Sequence, residues 1–388
     1  MVPIRYNVRS LLVRKVTTFA TAGGIALVVF VFAAAMMLGE GVNRAFATSG
    51  RSDVAIVLRK GSDAELSSTL DGNQLNLLRG SSGVNASAPG GGVTGEVVLV
   101  ITAALADDPD AISNVLVRGM PAEGPQLRPD VRIVSGRAPK PGTNEVMVGR
   151  AISGRFAGIA PGKTFEIRRN RPFLVVGEFS AGGSSWESEV WGDLDAIRTA
   201  VGRQATVSSA RVVLTSPSAF EGYRAAIESD KRLNLKVMRE DEYFRKQSEM
   251  TSAFLKYMGI TIAVLFSIAA MIGAAITMNG AVANRTKEIG TLRALGFSKI
   301  AILFSFLLEA LVLALIGGAV GLVFVQLLAL ISFPVMNFAT FSEIVISFRA
   351  APAVVISSLV FSLVMGLLGG LLPAIRAARV SPVEAMRG

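Results

Sequence analysis

The chain has 388 residues, 51% of them hydrophobic, with no cysteine and no histidine; this excludes disulfides, thiolate catalysis, His-based zinc sites and Ser-His triads, and it points to membrane segments. The formal charge of +10 would suit nucleic acid, but its distribution does not. Residues 1–16, 284–299 and 374–388 hold 11 basic residues against two acidic ones, Glu288 and Glu384, whereas residues 40–250 hold 26 basic and 25 acidic residues, a positive-inside pattern that needs no nucleic-acid partner and puts both termini and the middle loop in the cytoplasm.

In residues 1–16, Ile4, Val8, Leu11 and Leu12 recur at helical spacing beside Arg5, Arg9 and Arg14, which predicts a cytoplasmic amphipathic helix lying on anionic lipid. Residues 17–44 read as the first transmembrane helix and the start of a stalk. The apolar run from Thr17 to Leu38 is long enough for a ~30 Å hydrocarbon core, which takes about 20 residues. Ala45-Phe46-Ala47 spells an A-x-A cleavage site, but the apolar run outlasts the 7 to 15 residues usual in signal peptides, so an uncleaved anchor is expected.

Residues 45–239 read as a mixed α/β extracytoplasmic domain. Period-2 alternation predicts strands at Val97–Ile101, Glu145–Val148, Thr164–Ile167, Phe173–Val176 and Arg211–Leu214. A helix is expected at Ser218–Ser229, with Ser218 and Glu221 as a capping box. Residues 79–95, RGSSGVNASAPGGGVTG, are too rich in Gly and Ser for an element interior and predict a mobile loop. The carboxylates scattered through the domain read as solvated surface.

Residues 157–164, AGIAPGKT, spell a loose phosphate-binding loop. Such a loop must follow a buried strand and open a helix so that backbone N–H groups face the phosphates. Here Phe165 and Ile167 alternate with polar residues and Pro172 forbids a continuing helix. The expectation is a Pro-Gly turn into a strand, on the side of the membrane where ATP is scarce.

Residues 240–283 read as stalk and second transmembrane helix. Tyr243, Gln247, Met250, Phe254 and Tyr257 are spaced 4, 3, 4, 3, as are Val31, Ala35, Leu38, Val42 and Ala45, which predicts two helices packing beyond the bilayer. A helix from Glu240 to Gly280 would be ~60 Å long, about twice the hydrocarbon core. Within residues 284–299, Ile289, Leu292 and Leu295 suggest an apolar stripe, Gly296 a left-handed helix end and Ser298 the cap of the next helix.

Residues 300–333 read as the third transmembrane helix, 334–352 as a short extracytoplasmic loop, 353–373 as the fourth transmembrane helix and 374–388 as a cytoplasmic tail, where Ser381, Pro382 and Glu384 suggest a capped helix start. Glu309 is the ionisable residue well inside a span. It is a functional candidate by default, or a side chain satisfied by a neighbouring helix or by the cytoplasmic interface. The small-xxx-small pairs Gly317/Gly321, Gly366/Gly370 and Ala20/Gly24 suggest close packing within a bundle or a dimer. The fold class expected is an α-helical membrane protein with four transmembrane helices and a large mixed α/β domain inserted between the first and second.

The runs Lys287-Glu288-Ile289-Gly290, Arg293-Ala294-Leu295-Gly296 and Leu307-Leu308-Glu309-Ala310, with Pro373, Ala377, Pro382, Glu384, Ala385 and Arg387, resemble the FtsX-like ABC permeases. NEVMVGRAISGRFAGIAPGKTFEI and FLVVGEF resemble a MacB-type periplasmic core. The resemblance implies a non-catalytic permease subunit in the bacterial cytoplasmic (inner) membrane, paired with a second permease subunit as a homo- or heterodimer. It implies no catalytic residue, cofactor or metal in this chain, with ATP and Mg held by a separate cytoplasmic ABC ATPase subunit, since MacB carries a fused ATPase domain and this sequence contains none.

Lys287, Glu288, Ile289, Gly290, Leu292, Arg293, Leu295 and Gly296 would form the coupling helix, with Ile289 and Leu292 seated on the ATPase. Leu38, Val42, Ala45, Tyr243, Gln247, Met250 and Phe254 would form the stalk. Motion would reach the outer domain and act on a periplasmic adaptor or substrate protein in export, efflux or lipoprotein and lipid release. Two other readings stand beside this one: a membrane receptor, and a scaffold that regulates a periplasmic partner such as a cell-wall hydrolase without solute transport.

Overall fold

The structure, a computed structural model, describes residues 15–382 except 129, 204 and 349. The amphipathic segment before residue 15 and Glu384 of the tail lie outside the described residues. In chain order the elements are α1 (Lys15–Ala47), β1 (Val54–Arg59), β2 (Leu70–Asp71), α2 (Gly72–Arg79), β3 (Val93–Ala104), β4 (Ile112–Met120), β5 (Arg132–Gly136), β6 (Glu145–Gly149), β7 (Thr164–Arg168), β8 (Arg171–Ser180) and β9 (Glu189–Asp193). There follow α3 (Leu194–Val201), β10 (Thr206–Val207), β11 (Ser209–Val213), α4 (Phe220–Ser229), β12 (Leu235–Arg239), α5 (Glu240–Asn284), α6 (Thr286–Ala294), α7 (Lys299–Leu327), β13 (Ser332–Met336), β14 (Glu343–Ser347) and α8 (Pro352–Ala378). They form two compact units, one of residues 1–40, 253–331 and 348–388, the other of residues 41–252 and 332–347.

The first unit is a bundle of four helices, each long and apolar enough to cross a membrane. Glycines set its contacts, because only a residue without Cβ lets backbones approach this closely. A Cβ on Gly366 would meet Ala314 Cβ at 2.4 Å, and one on Gly370 would meet Ala310 Cβ at 2.4 Å, so α8 lies directly on α7. Gly317 and Gly321 do the same for α7 and α1, where a Cβ would come within 2.7 Å of Ala22 O and 2.5 Å of Ala26 O. Among the described residues nothing lies within 4 Å of a Cβ placed on Gly24, so the Ala20/Gly24 pair makes no such contact inside this bundle. A Cβ on Gly259 of α5 would sit 2.0 Å from Ala35 Cβ of α1. Phe32 and Phe361 stack with ring centroids 4.5 Å apart.

The third apolar run does not stay helical to Phe333. After Leu327 the chain makes one tighter turn to Leu330, and Ser332–Met336 then pairs antiparallel with Glu343–Ser347. Pro334 accounts for the change, since it has no N–H for a helix and biases the preceding residue towards extended geometry. The segment at 334–352, expected as a loop, is therefore largely a β-hairpin. Its strands belong to the second unit, where Val345 N–H donates to Ser188 Oγ (3.0 Å), Asn114 Nδ2 donates to Phe341 O (2.8 Å) and Arg155 is ion-paired to Glu343.

The second unit is a ten-stranded sheet in the order β12-β1-β11-β3-β4-β9-β6-β8-β5, with β7 on β8. The β4–β9 and β6–β8 pairs are parallel and the rest antiparallel. Val57, Val97, Val117, Val148 and Val190, one from each of five strands, fill its core. All five strands expected from the sequence lie at these places. The capping box at Ser218 does not form: α4 begins at Phe220 after a short turn, Ala219 stands at its N-cap, and Ser218 Oγ bonds Ser216 Oγ instead. A complete capping box occurs at α2, between Asp71 and Gln74.

The Gly/Ser-rich segment expected as a mobile loop is tied along β11. Val84 bridges Leu214, Asn85 N–H donates to Val213 O (2.9 Å), Thr215 N–H donates to Gly83 O (3.0 Å), and residues from Val93 onward are already strand. In AGIAPGKT, Gly158 and Gly162 have φ of +77° and +81°. The segment runs into β7, and Gly162 N–H donates to Val175 O at 2.8 Å. A turn whose N–H groups are spent on a neighbouring strand cannot cradle a phosphate.

Candidate functional site

The short helix α6 is held by one arginine. Arg285 sits between α5 and α6 with φ −113° and ψ 14°, a break that turns its side chain into the bundle. Its Nε donates to Glu288 Oε2 at 3.0 Å, its Nη1 to Glu309 Oε2 of α7 at 3.4 Å, and its guanidinium lies 5.6 Å from the centroid of the Phe306 ring. Arg285 and Glu309 are both buried. Glu309 is thus paired with a neighbouring part of the chain. Removing Arg285 would take away the cation that buried Glu309 faces, at a cost of about 3–5 kcal/mol, whereas removing Glu309 leaves Arg285 its bond to Glu288.

Ile289 fixes the orientation of α6. It is 2% exposed, packed among Val282, Ile302, Phe306, Leu307, Ala374 and Ala377. Gly290 is buried beside it, and Leu292 packs partly against the same cluster. Leu295, by contrast, is 73% exposed, and Lys287, Glu288 and Thr291 are exposed as well. The stripe Ile289, Leu292, Leu295 therefore does not face one way, and Ile289 cannot seat a partner. At 3.6 residues per turn, six residues place Leu295 about 120° away from Ile289.

The end of α6 is closed as its sequence suggests. Gly296 has φ +94°, Phe297 N–H donates to Leu292 O (3.2 Å), Arg293 Nη1 donates to Phe297 O (3.0 Å), and Ser298 Oγ accepts from Ala301 N–H (3.1 Å) to start α7. A left-handed glycine followed by a serine N-cap makes a short, well-bonded corner.

The residues expected in the stalk divide. Val42, Ala45, Tyr243 and Gln247 are buried and Leu38 is half-buried, but Met250 is 67% and Phe254 is 50% exposed. The covered line on α5 steps by four, through Tyr243, Gln247 and Thr251 and through Phe244, Ser248 and Ser252, rather than by the 4, 3 alternation of a two-helix seam. Its partners explain this: Tyr243 OH accepts from Glu65 N–H (3.1 Å), Gln247 Oε1 from Asn337 Nδ2 (3.5 Å) and Thr251 Oγ1 from Phe338 N–H (3.3 Å), while Phe244 faces Trp186 edge-on at 4.9 Å. This part of the helix lies against the sheet unit and the hairpin, not only against α1.

The carboxylates that sequence alone assigns to the surface include a buried ionic network. Arg118 of β4 donates to Glu189 (2.8 Å), Glu65 (2.9 Å) and Glu96 (2.9 Å); Arg128 donates to Glu96 (2.8 Å); Arg211 of β11 donates to Glu240 (2.7 Å), the first residue of α5. All seven side chains are buried. Burial pushes the Glu96 carboxyl up, but the charges of Arg128 and then Arg118 outweigh it and bring it from 4.5 down to about 2. Burial, reinforced by Glu65, pushes the Tyr243 hydroxyl far above its usual range. One sequence signal could have found the network: Glu96, Arg118 and Arg211 each interrupt a strand of apolar residues, in GEVVLV, VLVRGM and ARVVL, where an unpaired charge could not stay.

Residues 18–230 match the MacB-like periplasmic core domain, and residues 260–382 match the FtsX-like permease C-terminal domain. The macrolide export ATP-binding/permease protein MacB of Hahella chejuensis is 38% identical over 143 residues, covering 36% of this chain and 20% of that protein. MacB of Neisseria gonorrhoeae is 29% identical over 240 residues, covering 60% of this chain and 36% of the relative. The ABC transporter permease YvrN of Bacillus subtilis is 41% identical over 106 residues, 27% of this chain and 24% of that protein. The chain thus spans between a fifth and a little over a third of the length of these relatives. The crystallised periplasmic region of MacB from Actinobacillus actinomycetemcomitans superposes with a TM-score of 0.38 at 14% identity, over 51% of this chain and 94% of that one.

Proposed function

The chain belongs to the MacB-type family of FtsX-like permeases, and from that membership we propose that it is the membrane subunit of an ATP-driven ABC complex, moved by a separate cytoplasmic ATPase that holds the ATP and Mg. In this reading the positive-inside charge pattern puts α6 and both termini in the cytoplasm of a bacterial inner membrane and the sheet unit outside. Two permease subunits work as a pair, and the outer unit acts on an adaptor or substrate in export, efflux or lipid release.

The observation that carries the proposal is the mounting of α6. A helix anchored from inside by Ile289 and the Arg285–Glu309 pair, yet exposing Lys287, Thr291 and Leu295, can receive force on one face and pass it to α7 through the other. The 45 residues of α5 run without a break from Glu240, which is ion-paired to the sheet through Arg211, to Asn284 beside that mount. Movement of α6 would therefore be carried by α5, and the ATPase would contact Leu295 and Lys287 rather than Ile289.

Co-purification from native membranes tests the proposal. An ABC ATPase should elute with the wild-type chain in fixed ratio and be lost from the Lys287→Glu/Leu295→Asp variant, while α-helical content is retained. A wild-type preparation without an ATPase, or a variant that keeps it at full ratio, overturns the reading.

A further inference from the structure

Just past the end of α1, the segment Thr48–Arg51 closes a cavity of about 50 Å³ together with Arg128, Asp130, Ser184, Trp186 and Arg211. Three guanidinium groups meet there against one carboxylate, that of Asp130, which is itself exposed. The arginines are close: Arg51 Nη1 and Arg211 Nη1 both donate to the carbonyl of Leu127, each at 3.3 Å, and Leu127 immediately precedes Arg128. Each guanidinium is paired with a carboxylate, Asp53 for Arg51, Glu240 for Arg211, and for Arg128 the Glu96 that Arg118 also holds.

Those carboxylates do not exhaust the donors. Among the described residues, Arg128 Nε and Ser184 Oγ have no hydrogen-bond partner, and their residues are only 4% and 3% exposed. Buried donors of this kind are normally paired, and each one left over calls for an explanation. Burial lowers the Arg128 pKa from its ordinary value; Glu96 opposes the change, and Arg211 and Arg118 add to it. A water takes about 10–15 Å³ of such volume. The cavity therefore has room for an oxyanion and little more.

We propose that Arg51, Arg128, Arg211 and Ser184 form a binding site for a small oxyanion, a phosphate group carried either by free phosphate or by a phospholipid headgroup. Guanidinium forks match phosphate oxygens in geometry as well as charge, and Ser184 adds a neutral donor. The site joins the first residues after α1, through Arg51, to the first residue of α5, whose Glu240 accepts from Arg51 N–H (3.1 Å) and from Arg211. A bound anion would thus draw together the places where both long helices enter the sheet unit. This inference does not depend on the chain having an ATPase partner.

The test uses the full-length chain in neutral detergent. Inorganic phosphate, set against chloride at equal ionic strength, should raise the melting temperature in a saturable way and perturb the fluorescence of Trp186, which lies 4.5 Å from the Arg128 guanidinium. Nanodiscs of phosphatidylglycerol, compared with phosphatidylcholine, form the second arm. A response to inorganic phosphate assigns the free anion, and a response to phosphatidylglycerol alone assigns the headgroup. Ser184→Ala and Arg51→Gln should each weaken the response about tenfold, the size of one charge-assisted hydrogen bond. Ser184→Asp, which supplies a carboxylate in place, should raise the melting temperature in chloride and abolish the response. No response in either arm, or one of full strength in both Ser184→Ala and Arg51→Gln, overturns the site.

Discussion

Gly259 lies against Ala35 so closely that a single methyl group added to it would fall 2.0 Å from the alanine Cβ. This contact joins α5 to α1, and neither residue can grow without separating the helices. Gly259→Ala should lower the stability of the chain by about 1–3 kcal/mol, the usual cost of overpacking. Ala35→Gly in the same chain should restore much of it by clearing the methyl opposite. Melting curves of the two single variants and the double variant in nanodiscs decide the matter, and strictly additive effects would show that the residues do not meet.

The Arg285–Glu309 pair should behave as a buried pair does. Arg285→Met should destabilise the bundle by about 3–5 kcal/mol and Glu309→Met by less, because Arg285 keeps its bond to Glu288; Arg285→Met/Glu309→Met should be markedly milder than Arg285→Met, since the buried carboxylate leaves with its cation. Denaturant titrations of all three check this. A double variant as damaged as the sum of the singles would contradict the pairing.

Acid should loosen the sheet unit through Glu96. Its carboxyl is held at about 2 against 4.5, so the stabilisation it brings is complete above pH 4.5 and is lost as the pH falls towards 2. The size is about 3 kcal/mol. Near-UV circular dichroism of Trp186 and Trp191 should follow this loss in the wild type. Glu96→Gln should already be destabilised at neutral pH, with a flatter profile across that window. A variant profile as steep as the wild type would remove Glu96 from the account.

Lys163 in AGIAPGKT is exposed, and the structure gives its segment to a turn. Lys163→Ala should change stability by less than about 0.5 kcal/mol and leave any ATP hydrolysis by the purified assembly at the wild-type rate. A complex inactivated by this substitution alone would reinstate the segment as a nucleotide loop.

The parts of the fold legible in the sequence are those set by local chemistry. The apolar runs located four spans, helical periodicity carried α5 back to Glu240, and Gly296 and Ser298 marked the corner after α6. The illegible parts depend on partners distant in sequence. Glu96 is buried because Arg128 and Arg118 neutralise it, and neither lies within twenty residues of it along the chain. Ile289 turns inward because the break at Arg285 sets the rotation of a helix only nine residues long, too short for its pattern to define a face. The strand at Ser332 is hidden because an apolar strand that follows an apolar helix shows no change of composition.

That hairpin also dictates an order of events during synthesis. Residues 41–252 leave the ribosome long before Ser332–Ser347, yet the unit they form is completed by that later piece, with Glu343 on Arg155 and Val345 on Ser188. Until the third span has been threaded through the bilayer, Arg155 and the Ser188 hydroxyl lack the partners they hold at the end. The domain therefore matures only after its own anchor is almost fully installed, and a fragment ending at Ser252 would be a snapshot of the nascent protein rather than a miniature of the finished one.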